Sequence, residues 1–153
     1  MTGTVPVDAL QALFAAVEPG SIATKFRRFA ALDPASPAAH DFVALEDWLN
    51  DGVPLGAHLA RETLGGWYGA NTPGRGAWHV CGQAVDPAAL SVPAFVASPH
   101  ADRIVPPASA LPLAQLIPRA VLHQPAAGHV GMVAGPRARD VLWLPLLDWL
   151  RRL

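Results

Sequence analysis

This sequence is poor in cysteine, lysine, tyrosine and charge. Cys81 is the only thiol in 153 residues, so no internal disulfide can form. Charged residues make up 15% of the chain against 52% hydrophobic, whereas about 25% charge is usual for a soluble domain. A chain of this size and composition must bury its apolar side chains unusually well or cover them against another surface. A net charge of −1 gives no general attraction to nucleic acid or to an anionic membrane. Lys25 is the only lysine, the other ten of eleven basic residues being Arg, which reads as coding bias rather than function. No apolar run approaches the roughly 18 residues of a membrane span. The opening Met1-Thr-Gly-Thr-Val-Pro6 has no basic stretch followed by an apolar core, so it is not a secretory signal and a cytoplasmic protein is expected. The histidines at 40, 58, 79, 100, 123 and 129 show no metal-ligand spacing, so neither a metal nor a cofactor is expected.

Also missing is a nucleophile elbow, Gly-x-Ser/Cys-x-Gly on a strand-to-helix turn. No Ser, and not Cys81, has glycine at both second flanking positions. Cys81 reads instead as a small apolar residue in a short strand.

The periodicity divides the chain into two parts. Residues 1–70 read as helices: one over 7–17 with Leu10, Leu13, Phe14 and Val17 on a face, one capped by Ser21, one opening at Ser36-Pro37, and one from about Ala57 to Tyr68. Residues 71–153 alternate strand and helix. Strands are expected at Trp78–Cys81, Pro93–Ser98 and Ala120–His123, and helices from Pro106 to about Ile117 and from Pro136 to Leu153, the last kinked at Pro145. Two short apolar strands joined by a helix should lie parallel, and ligands gather beyond the carboxyl ends of such strands. Asp102 and His129 each follow one of these strands by a few residues, 129 − 102 = 27 positions apart, which leaves room for one helix and one strand. Both side chains should therefore meet at one rim. A carboxylate beside an imidazole fixes its tautomer and stabilises the imidazolium formed when a nucleophile loses its proton. Gly128 is expected to permit the tight loop that presents the ring. Asp then His is the chain order of the last two triad members in α/β-hydrolases, although spacing alone carries little information.

More specific are the runs Trp67-Tyr-Gly-Ala-Asn71-Thr, Val80-Cys81-Gly82-Gln-Ala-Val85-Asp86, Val92-Pro93, Asp102-Arg-Ile-Val-Pro106 and Gly128-His129. Together they resemble the C-terminal part of the polyhydroxyalkanoate synthases, over roughly residues 40–135. Trp48-x-x-Asp51 resembles that family's Trp-Asn-x-Asp segment with one position changed. The resemblance implies a partial α/β-hydrolase fold: a helical cap (residues 1–70) followed by the last parallel strands and helices of the core (71–153). It implies an acyltransferase that joins 3-hydroxyacyl groups from coenzyme A thioesters into a polyester, with a Cys-Asp-His triad. Asp102 would orient His129, and His129 would act as general base. The cap would exclude water, with Trp48, Trp67 and Tyr68 as candidate channel residues and His100 and Arg103 as candidate substrate contacts. Arg103 stands where many members have His. With the nucleophile segment missing, a truncated member, a split gene or a fragment is expected, inactive alone. Its implied partners are 3-hydroxyacyl-coenzyme A, the polyester, a full-length synthase subunit or further copies of itself, at a polyester granule. Two other readings stay open: a fragment of a related hydrolase with a Ser nucleophile, and a non-catalytic interaction protein pairing through an exposed strand edge at Pro93–Ser98. Lys25-Phe-Arg-Arg28 reads as a solvated helix face.

Overall fold

The computed structural model describes residues 3–17 and 19–153. It is an α/β structure of two compact units, Met1–Gly69 and Ala70–Leu153.

In the first unit, β1 (Thr4–Val5) pairs antiparallel with β2 (Leu55–Gly56), a bridge that two-residue strands do not announce in sequence. Helix α1 (Val7–Ala15) starts after Pro6 and ends two residues earlier than expected. Helix α2 (Pro19–Ala30) begins before Ser21, which lies inside the first turn and is not its cap. Proline is well suited to open a helix, because its missing N–H is one of the unpaired donors there anyway. Helix α3 (Pro37–Asn50) follows the expected start: Ser36 accepts a hydrogen bond from the Ala39 N–H at 3.2 Å. Helices α2 and α3 meet through Phe29 stacked on Phe42 at 4.4 Å and Phe26 edge-on to Phe42 at 5.7 Å. Lys25 is bound to Glu46 of α3 at 2.7 Å, while Arg27 and Arg28 of the same cluster are exposed. With the lysine side chain 37% exposed, that pair is worth at most about 1 kcal/mol. Helix α4 (Ala57–Ala60) runs on as a wider helix over Arg61–Gly69, where Gly65 and Gly66 weaken the regular pitch.

The second unit opens with a hairpin, β3 (His79–Val80) against β4 (Gln83–Ala84), which corrects the expectation of a strand through Cys81. Cys81 and Gly82 are instead the two turn residues, with φ of 50° and 79°, as a two-residue hairpin of the favoured twist requires. Cys81 is exposed. Strand β5 (Ala94–Ala97) pairs in parallel with β6 (Ala120–His123), register Ala94↔Ala120 to Ala97↔His123. The connection between them is α5 (Pro107–Leu116). That helix ends where it must: Ile117 precedes Pro118, is driven to extended backbone (ψ 117°), and is buried. A single turn not expected from the sequence, α6 (Gly131–Ala134), comes first; the C-terminal helix expected from Pro136 then runs through a wide segment over Arg139–Trp143 into α7 (Leu144–Leu150). Pro145 has no N–H to return to the Val141 carbonyl, and the turn ahead of it is widened. Among the described residues no helix is long and apolar enough to cross a membrane.

Candidate active site

The rim beyond β5 and β6 is built by continuing their ladder into the loops. Past the last paired residues, Ser98 N–H donates to His123 O at 2.9 Å, His100 N–H to Pro125 O at 3.2 Å, and Ala101 N–H to Ala127 O at 3.2 Å. The two loops thus run side by side almost in strand register. The offset is 120 − 94 = 26 in the ladder and 129 − 102 = 27 at the end. This is why two side chains so far apart in sequence arrive together.

They arrive within hydrogen-bond distance. Nδ1 of His129 lies 2.8 Å from Oδ2 of Asp102. Asp102 is buried, its side chain 3% exposed, whereas the His129 side chain is 40% exposed. The other carboxylate oxygen, Oδ1, accepts the N–H groups of Ile104 at 2.9 Å and Val105 at 2.8 Å. Burial alone would push the Asp102 carboxyl up. The Val105 N–H, the hydrogen bond and charge of His129, and the Ile104 N–H together outweigh it and hold the pKa below the usual aspartate value. An ionised carboxylate can only accept, so the proton between the two groups belongs to Nδ1 of His129. Nε2 of the neutral ring is then a bare lone pair on a side chain that is 40% exposed. An imidazole so arranged can take a proton from a thiol, a hydroxyl or water, with the resulting imidazolium stabilised by the buried carboxylate.

Of the residues singled out by sequence, Asp102 and His129 are brought into contact. His100 and Arg103 lie exposed on the Asp102 loop, in the same unit. Trp48 on α3 and Tyr68 in the wide helix after α4 are each 67% exposed, Trp67 is half-buried, and all three belong to the first unit. Gly128 has no left-handed backbone, and a Cβ there would stand 3.7 Å from Ala101 O in ordinary contact, so the loop does not depend on glycine at that position. The sequence reading did not identify the two amides that hold Oδ1. The signal was present: Asp side chains favour binding N–H groups two and three residues on, and Asp102 is followed by three residues and a proline. Cys81, in a strand–turn–strand hairpin, is not on an elbow. Among the described residues no group of three His, Cys, Asp or Glu side chains could hold a metal ion.

No family model matches the chain. It is 26% identical over 150 residues, 96% of its own length, to the poly(3-hydroxyalkanoate) polymerase subunit PhaC of Haloferax mediterranei. It is 25% identical over 152 residues to the protein of the same name from Haloarcula marismortui. The chain spans 30% and 32% of the length of these two curated relatives. It therefore resembles a C-terminal part of such a subunit.

Proposed function

We propose that these residues are the Asp–His half of a polyhydroxyalkanoate synthase-like acyltransferase, built on the last parallel strands of an α/β-hydrolase fold. The hydrogen bond from Nδ1 of His129 to a buried, ionised Asp102 carries this reading, and the likeness to two PhaC subunits supports it. The substrate is a 3-hydroxyacyl-coenzyme A thioester and the product a polyester. Nε2 of His129 takes the proton of a thiol; the thiolate attacks the thioester carbonyl, and coenzyme A leaves as its thiol. In the second half of the cycle the same nitrogen takes the proton of a hydroxyacyl OH, which attacks the enzyme thioester; the C–S bond breaks, the polyester is one unit longer, and the enzyme sulfur leaves as its thiol with the proton returned from that nitrogen. A thiolate suits this exchange because one thioester is converted to another of similar energy.

The nucleophile is supplied by a Gly-x-Cys-x-Gly elbow outside these 153 residues, and residues 1–70 form the cap that keeps water from the acyl group. Trp48, Trp67 and Tyr68 serve the cap's acyl path, and His100 and Arg103 contact the substrate beside Asp102. The working protein sits in the cytoplasm at the surface of a polyester granule.

A chimera tests this: the Haloferax PhaC subunit with its matched segment replaced by this chain. It should release coenzyme A from 3-hydroxybutyryl-coenzyme A, and His129→Gln should abolish that release. A chimera whose activity survives both Asp102→Asn and His129→Gln would sink the proposal. The 153-residue chain alone should release none above background. A second reading, an interaction protein for a synthase, is favoured by the exposed apolar side chains of the last helical segment, Trp143 at 47%, Leu147 at 40% and Leu150 at 50%. It expects co-purification with a synthase subunit and no effect of His129→Gln on that association.

A further inference from the structure

We infer that the segment 137–143 is a splint that sets His129 against Asp102, with Arg137, Trp143 and His123 as positioning residues. The inference deepens the acyl-transfer reading, but it concerns the geometry of the pair and can be tested without activity.

The starting point is Pro145. In a regular helix the N–H at position 145 would bond the carbonyl of Val141; proline has none. The chain widens instead, and Leu144 N–H reaches back five residues to Arg139 O. Such single wide turns occur disproportionately at functional sites. Here the Val141 carbonyl is taken up by Nε2 of His123 at 2.6 Å. A carbonyl only accepts, so Nε2 of His123 carries a proton. His123 is the last residue of β6, so this bond ties the wide turn to the root of the His129 loop.

Two further bonds tie the same segment to the rest of that loop. Arg137 Nη2 donates to Ala126 O at 2.9 Å, three residues before His129. Trp143 Nε1 donates to Val133 O at 3.1 Å, four residues after it. Helix α6 is a single turn, too short for its own ladder to supply the Val133 carbonyl with a donor. The three bonds bracket positions 123–133 and all reach into 137–143. On the other side the loop is held by the Ala101 N–H to Ala127 O bond. His129 is therefore fixed between the Asp102 loop and the splint, while its own side chain touches only Asp102 among the described hydrogen bonds.

A merely structural role would lower global stability and loosen every amide of the unit alike. A positioning role loosens the His129 loop first. The test is amide hydrogen exchange on the full 15N-labelled chain, with the His129 Nδ1–H signal as a second readout. Arg137→Met and Trp143→Phe each remove a donor from an exposed side chain, so the fold should persist. Either variant should speed exchange at the Ala101 and Met132 amides by about three- to tenfold, the effect of one lost hydrogen bond on a locally opening segment. The Ser98 amide, in the strand ladder, should keep its rate, and the Nδ1–H signal should broaden. His123→Gln, which keeps a donor, should stay closer to the parent protein than His123→Leu. Unchanged exchange at Ala101 and Met132 in a folded variant overturns the inference, and so does an equal rise at Ser98. An inactive chimera with this exchange pattern intact would count against the acyl-transfer reading and leave the splint standing.

Discussion

The two units bury different things. In the first, the described residues that are buried are the small alanines Ala39 and Ala60, while Trp48, Val53 and Tyr68 stand 67–79% exposed. In the second, the shielded residues are a serine, a carboxylate and the prolines at 99 and 125, together with Ile117, Ala138 and Leu142. Burying Asp102 is unfavourable unless its oxygens are satisfied, and the rim meets that demand with two amides and an imidazole. Helical faces tolerate many side chains at a given position. A buried carboxylate held by three donors tolerates almost none, and its position is correspondingly well defined.

That contrast is most exposed to a kinetic test. In the chimera, His129→Gln should cost about a thousandfold or more in kcat, the scale of losing a triad base. Trp48→Phe and Tyr68→Phe should stay within about tenfold, because in the proposed reading they serve the acyl path and not the proton transfer. Equal losses from both units would erase the distinction drawn between them.

The next effect is on stability. Asp102→Ala leaves the Ile104 and Val105 N–H groups without their acceptor and should destabilise the chain by about 1.5–3 kcal/mol in urea unfolding. Because the folded pKa of Asp102 is depressed, its contribution is fully present above the unfolded value of about 3.9. It is lost as pH falls through the lower folded value. Stability measured downward from pH 5 should therefore drop more steeply in the parent chain than in Asp102→Asn.

A smaller effect concerns the hairpin. Cys81 holds a left-handed φ of 50°, which Asn adopts more readily than Cys. Cys81→Asn should add up to about 1 kcal/mol with an unchanged denaturant slope. The smallest is Gly128→Ala, where the added methyl meets Ala101 O at 3.7 Å. It should change stability by less than about 0.5 kcal/mol.

How far the sequence could be read follows the same division. The parallel pairing of 94–97 with 120–123, and the meeting of Asp102 with His129, were legible because short apolar strands punctuated by proline permit few arrangements. Ser36 as a cap was legible from its side chain and the proline behind it. The hairpin turn at Cys81-Gly82 was misread because cysteine rarely adopts positive φ and its neighbours suit a strand. The single turn α6 at 131–134 was not legible because four residues are too few to carry an apolar period, and Gly135 separates it from the last helix: a Cβ there would meet Gly131 O at 2.4 Å. Gly128 was credited with freedom it does not use. The β1–β2 bridge depends on residues fifty positions apart that carry no strand pattern.

The central claim is that the ring of His129 is held with its proton on Nδ1, facing Asp102, and its lone pair on Nε2. A long-range 1H–15N spectrum of the full chain, recorded where the ring is neutral, reads the tautomer directly. The claim requires a protonated Nδ1 and a bare Nε2, lost in Asp102→Ala. A ring protonated on Nε2, or one exchanging freely between both forms in the parent chain, would contradict it.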